Sequence, residues 1–292
     1  ETTLANYLPV TLDSATYKGT LYQLPLYFET LLFLYNKALM SESDVPKTTE
    51  ALYAYMQANT SGGHYGFVEQ HSTAYYSIPW INGFGGELIT SDGVPQLTSS
   101  EVRAALKYHQ KFLQFMPGES EYSTVNTLFL EGMADSTIGG PWLVPSAREA
   151  GIDLGFATMP VVDETGLPLA PYTGVQGVHV LKVAAEQKHD TIARVLSVLT
   201  DPQVGIDLAN ASGCAPANIL AYEDASVTGD PMVTTMRQIA ETAQPMPNIP
   251  QMDVMWTVLG NLLVAVNTSG GVVETETTKY QAKAEQLIEA MQ

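Results

Sequence analysis

Two apolar stretches stand almost end to end early in this chain, Thr20 to Tyr27 and Leu31 to Tyr35. From there strand-like segments alternate with amphipathic helical ones. That alternation predicts an α/β architecture, with strands buried beneath helices. Pro46-Lys47-Thr48-Thr49 starts a helix with Thr48 as its cap, and Leu52, Tyr55 and Met56 share one face. A second helix follows Thr98, whose spacing to Glu101 is that of a capping box. Val102, Ala105, Leu106, His109, Phe112, Leu113 and Met116 form its apolar stripe. Ser123 opens a further helix through Gly132, and Asp135 to Ile138 reads as a short strand. Gly139-Gly140-Pro141-Trp142 turns into a helix that stops near Gly151. Leu154 to Met159 and Val175 to Val183 read as strands. Helices are expected at about 185–200, 202–211, 230–243, 253–267 and 272–291, so they crowd the C-terminal half.

At 292 residues the chain has room for two domains or one large α/β unit. A formal charge of −18 argues against nucleic acid and anionic membrane as partners, because either would be repelled. Cys214 is the only cysteine, which excludes an internal disulfide and any Cys-rich zinc site. No apolar run reaches the roughly 18 residues a membrane-spanning helix needs. The chain opens Glu1-Thr2-Thr3, without an initiator Met or a signal-peptide pattern, and is read as processed or shortened.

Motifs for nucleotide binding, serine hydrolysis and zinc peptidase chemistry are missing. Asn82-Gly83-Phe84-Gly85-Gly86 lacks the Lys-Ser/Thr of a phosphate loop and reads as a turn. His64 and His71 are too isolated to suggest a metal, and His109 has no ligand-type residue at helical spacing, so it reads as a packed residue. Cys214 has no basic neighbour in sequence to favour a thiolate. No cofactor or metal is expected. The aromatic residues say more. Three Trp (Trp80, Trp142, Trp256) and 15 Tyr are present, with Tyr75, Tyr76 and Tyr122 in polar, loop-like surroundings. Aromatic faces beside carboxylates and amides suit a sugar, whose C–H face packs on a ring while its hydroxyls take hydrogen bonds. Taken one at a time, core packing accounts for each ring.

Several segments, read in order, resemble the maltose/maltodextrin-binding proteins, which are extracellular solute-binding proteins of ABC importers. The most specific is Gln244-Pro245-Met246-Pro247-Asn248-Ile249-Pro250-Gln251-Met252, with Trp256 shortly after. Tyr17-Lys18-Gly19, Leu24-Pro25, Glu29 and Leu34-Tyr35-Asn36-Lys37 are similar to the segment where these proteins cross between lobes. Phe129 to Gly132 and Ile138-Gly139-Gly140-Pro141-Trp142 resemble another shared stretch. Tyr172 to Val178 resembles a second crossing, and Asp230-Pro231 lies near a third.

The resemblance implies a two-lobed, type II periplasmic-binding-protein-like α/β fold with an incomplete N-terminal lobe. Residues 1–27 and 178–226 would be the remnant of that lobe. Residues 32–173 and 230–292 would form the C-terminal lobe, with crossings near 28–31, 174–177 and 227–229. It implies non-enzymatic binding of maltose or maltodextrin by hinge closure, delivery to a membrane ABC permease, and an extracytoplasmic home in the periplasm or as a cell-surface lipoprotein. Glu29 would bind sugar hydroxyls. Tyr75, with Tyr76 as its rival, would stack on sugar with Tyr122, Trp142 and Trp256, and Met246 would form an apolar wall. Thr73-Ala74 stands where the family has Glu-Pro, and Gly260 where it has a basic residue. A remnant lobe would need cover for its sheet, from the larger lobe or from a swapped or complementing chain. Two other readings compete: a scaffold or sensor with weak or no binding, and a glycoside hydrolase. The latter needs two carboxylates about 5–9.5 Å apart, and only Glu29 is available in the inferred site.

Overall fold

The computed structural model describes residues 4–118 and 120–291. Residues 1–3, 119 and 292 of the expected lobes therefore lie outside the described residues. The chain divides into two compact units, Glu1–Thr30 with Tyr172–Asn248, and Leu31–Pro171 with Ile249–Gln292.

The first unit is built on a four-stranded sheet in the order Ala215–Pro216, Gln23–Glu29, Tyr172–His179, Gln244–Pro245. Its centre is the antiparallel pair that runs from Gln23 opposite His179 to Glu29 opposite Gly174, with an irregularity between Pro25 and Tyr27. Proline cannot donate to a ladder, so it is tolerated where the register slips. Gly177 stands opposite Pro25, where a β-carbon would collide with the Leu24 carbonyl. The helix Pro9–Ala15 packs on both central strands. The helices Pro202–Ser212 and Pro231–Ile239 begin alike, with an aspartate cap followed by proline. Asp201 accepts from the Gln203 N–H, and Asp230 from those of Met232 and Val233.

The helix Lys182–Leu199 differs from these, because none of its residues is buried. Leu181, Val183, Val195 and Val198 are each more than half exposed. Beside this helix lies an open groove of about 530 Å³, lined by Leu21, Tyr22, Leu24, Val178 and Leu196 among others.

The second unit holds a three-stranded antiparallel sheet in the order Ser136–Gly139, Leu32–Asn36, Leu154–Ala157. Every residue of the central strand is buried, which explains its unbroken apolar run. Phe33 stacks on Phe67, with ring centroids 5.8 Å apart. The helix Thr49–Asn59 starts as the sequence suggests, with the Thr48 hydroxyl accepting from the Ala51 N–H at 3.2 Å.

Several expectations need correction. The cap of the helix Ser100–Gln110 is Ser99, which accepts from the Val102 N–H at 3.2 Å; Thr98 lies one residue too early. That helix stops at Gln110, so Phe112 and Met116 are buried beyond its end. The strand expected at Val175 to Val183 is Tyr172–His179, and a helix already begins at Lys182. The third crossing falls between Asn248 and Ile249 and not at 227–229. Residues 230–248 join the first unit because Pro231–Ile239 packs beside Ala215–Pro216, and Gln244–Pro245 pairs in parallel with Tyr172–Thr173. For the same reason Tyr172 and Thr173 leave the unit to which the sequence assigned them.

Candidate functional site

The second unit gathers the expected aromatic residues from four segments of the chain. Tyr75 and Tyr76 open the helix Ala74–Gly83, a correction to their loop-like reading in sequence. Helix propensity concealed it, because Pro79 and Gly83 lie inside the span. Tyr122 is the first residue of the helix Tyr122–Leu130 and is half exposed. Trp142 lies in the 3-10 turn Pro141–Leu143, after the strand Ser136–Gly139. Trp256 is on the helix Met252–Leu263, which packs against Ala74–Gly83. Met252, Met255, Val258, Leu259, Leu262 and Leu263 form the buried face of that helix and leave Trp256 half-buried at its edge.

Tyr75 is the hub of the group. Its ring centroid is 6.3 Å from that of Trp142 and 6.3 Å from that of Trp256, at interplanar angles of 47° and 54°. Tyr76 meets Tyr75 edge-on, at 5.8 Å and 86°. Tyr76 is buried, with the Trp142 indole and the Gln70 amide beside its hydroxyl. Burial raises the Tyr76 pKa, and those two donors oppose the rise. Tyr75, Trp142 and Trp256 thus form a partly exposed aromatic surface whose rings are held by one another. Such a surface can pack against the C–H face of a sugar.

Glu29 and Met246 belong to the first unit. Glu29 ends its strand opposite Gly174, and burial raises its carboxyl pKa. Its charge in turn adds to the upward shifts of Tyr27 and Cys214, both of which arise chiefly from burial. Met246 follows the strand Gln244–Pro245 and is half-buried. Two residues on, the Asn248 amide donates to the Ser14 carbonyl at 3.0 Å and the Thr16 carbonyl at 2.6 Å. Carbonyls at a helix C-terminus lack intrahelical donors, so Asn248 both satisfies them and fixes the Met246-Pro247-Asn248 segment.

The sequence reading missed Gln70, the amide beside the Tyr76 hydroxyl. It lies in the non-helical stretch just before Ala74–Gly83, where no periodicity marks it. A weak signal was present in Glu69-Gln70-His71, three polar residues in a row that are all buried. No group of three or more His, Cys, Asp or Glu among the described residues could hold a metal ion. No helix among them is long and apolar enough to cross a membrane.

The chain is similar to several known proteins. The chain is 28% identical to the galactooligosaccharide-binding protein of Bacillus subtilis (strain 168), over 95% of this chain and 70% of that protein. It is 29% identical to the maltotriose-binding protein of Pyrococcus abyssi (strain GE5 / Orsay), over 87% of this chain and 56% of that protein. The chain therefore spans only part of the length of these relatives, both of which are named as binding proteins. Among solved structures, a cyclo/maltodextrin-binding protein complexed with maltotetraose matches with a TM-score of 0.90 at 26% identity, over 100% of this chain and 77% of that one. That likeness is consistent with the two-lobed type II α/β fold. The model of the bacterial extracellular solute-binding proteins matches residues 2–235, and the chain belongs to that family.

Proposed function

We propose that this chain binds an oligosaccharide of the maltodextrin type without chemical turnover and serves a carbohydrate ABC importer outside the cytoplasm. The observation that carries this reading is the surface of Tyr75, Trp142 and Trp256. Tyr122 extends the stacking surface, and Tyr76 supports it from below. On the first unit, taken by itself, Glu29 offers a carboxylate for sugar hydroxyls and Met246 an apolar face. Binding couples to hinge closure when the sugar favours the closed arrangement over the open one. The membrane permease then receives the loaded protein.

The likeness to a galactooligosaccharide-binding protein supports a second sugar class. The exposed apolar helix and groove of the first unit support a complementing polypeptide, swapped or separate, that covers them.

The test is a tryptophan-fluorescence titration with maltose, maltotriose, longer maltodextrins and galacto-oligosaccharides, followed by chromatography of the sugar. A saturable shift with intact sugar supports the reading, and the sugar series assigns the class. A flat response up to millimolar concentration would overturn it in favour of a scaffold or sensor. Shortened sugar would overturn it in favour of a glycosidase.

A further inference from the structure

Glu69 is wholly buried in the second unit, and two ring nitrogens are directed at its carboxylate. The Trp80 indole N–H donates to Oε2 at 3.2 Å, and His109 Nε2 lies hydrogen-bonded against Oε1. The His109 ring is itself buried and stacks on Trp80, 4.6 Å between centroids at 22°. His109 Nδ1 is buried with no partner, which fits a proton on Nε2, because a proton on Nδ1 would be a donor with nothing to accept it. A buried carboxylate is expensive, and a whole buried polar cluster replaced by apolar residues of similar volume is often neutral or stabilising. Packing alone therefore does not explain this one.

Its position suggests a reason. Glu69 and Gln70 are consecutive residues in the segment that precedes the helix Ala74–Gly83. Glu69 accepts from the Trp80 N–H, and Gln70 lies beside Tyr76. Tyr76 and Trp80 are four residues apart, one above the other on one face of that helix. Glu69 thus ties that face to the segment before the helix, and the rotation of the helix sets where Tyr75 points. Tyr76 in turn lies beside the Trp142 indole.

We infer that Glu69 is a positioning residue for the sugar-binding surface: through Trp80 it sets the rotation of the helix Ala74–Gly83 so that Tyr75 meets Trp142 and Trp256. The affinity consequence rests on the oligosaccharide-binding reading above; the effect on ring geometry does not. His109 is the second donor that makes the buried carboxylate tolerable.

The test compares Glu69→Met, Glu69→Gln and Trp80→Phe with the parent protein. Gln retains an oxygen to accept the Trp80 N–H; Met fills the space and does not. Each protein is measured for maltotriose affinity by calorimetry, for near-UV circular dichroism and for melting temperature. Glu69→Met orphans two buried ring donors and is expected to lower the melting temperature; measured where its far-UV signal is still parental, it is expected to lose much of the near-UV signal and to weaken binding about ten-fold. Glu69→Gln keeps an acceptor for Trp80 but turns an amide N–H towards His109 Nε2, so it is expected to fall between the parent and Glu69→Met in both near-UV signal and affinity. Trp80→Phe, which removes the donor but keeps a ring, is expected to weaken binding several-fold. Parental affinity and near-UV signal in Glu69→Met would overturn the inference. If Glu69→Met does not fold, parental affinity in Trp80→Phe would overturn it and weakened affinity would support it. If the parent binds no sugar, the functional reading fails, and the near-UV comparison of Met with Gln decides this inference.

Discussion

The Trp142 indole lies across Gly140, so close that a β-carbon on Gly140 would stand 2.2 Å from the nearest ring carbon. The residue at 140 thus sets how flat the tryptophan can lie, although the two are separated by Pro141. The backbone there, φ −100° and ψ 176°, suits any residue, so glycine is required by the ring and not by the turn. Gly140→Ala is expected to push the indole outwards, away from Tyr75. Trp142 is already 39% exposed, so the displaced ring can move into solvent at a cost of about 1 kcal/mol or less. Sugar affinity should fall about ten-fold, which corresponds to about 1.4 kcal/mol. Calorimetric titration beside a thermal melt checks both halves, and unchanged affinity would count against Trp142 as a sugar contact.

Trp256 offers the simplest test of the stacking surface. It is half-buried at the edge of its helix, so truncation removes contact area without opening the core beneath. Trp256→Ala should cost about 2 kcal/mol of binding, roughly thirty-fold in Kd, as expected for an aromatic anchor. Tyr122→Ala should cost less, because half of that side chain remains in water in the free protein. Equal losses in the two variants would show that the rings do not share one graded surface.

Glu29 and His71 should give opposite pH responses. Burial raises the Glu29 carboxyl above its ordinary 4.5, so the folded protein holds a proton that the unfolded chain has released. Its contribution to stability is present below 4.5 and is lost as pH rises through the folded value. Glu29→Gln should therefore raise the melting temperature near neutral pH while weakening sugar binding. Burial lowers His71 below its ordinary 6.5, so the unfolded chain takes up the proton first. Its contribution is complete above 6.5 and is lost as pH falls below it. His71→Gln should thus blunt the loss of stability on mild acidification. Melts of the parent and both variants from about pH 4 to about pH 8 measure this, and parallel curves would refute it.

Ser99→Ala should destabilise the protein by about 1 kcal/mol, because the Val102 N–H loses its acceptor at the start of a buried helix. Thr98→Ala, one residue earlier, should change stability by no more than about 0.5 kcal/mol. Denaturant unfolding of the two variants separates the real cap from its neighbour. A larger effect at Thr98 would contradict the structure.

Near-neighbour chemistry was legible in the sequence. The apolar stretch Leu31 to Tyr35 is buried along its whole length and contains most of the strand Leu32–Asn36, and Thr48 caps the helix it precedes. Those signals act between residues a few positions apart, so the string of letters contains them. The segment Met246-Pro247-Asn248 and the residues around Trp142 were distinctive enough to suggest the family, which the comparison then established. Other features depended on partners far away in the chain. Tyr75 looked like a loop residue because Pro79 and Gly83 weaken local helix preference; packing against Met252–Leu263 outweighs that preference. Residues 230–248 joined the first unit because a two-residue strand found a sheet edge at Tyr172, which no local pattern announces. Glu69 was an ordinary acidic letter until the fold closed Trp80 and His109 around it. The sequence alone determined apolar runs and most helical periods, and the Thr48 cap but not the Ser99 cap, because these are local free-energy preferences. Only the tertiary structure decided that rings from positions 75, 142 and 256 share one surface, because long-range packing alone brings them within contact.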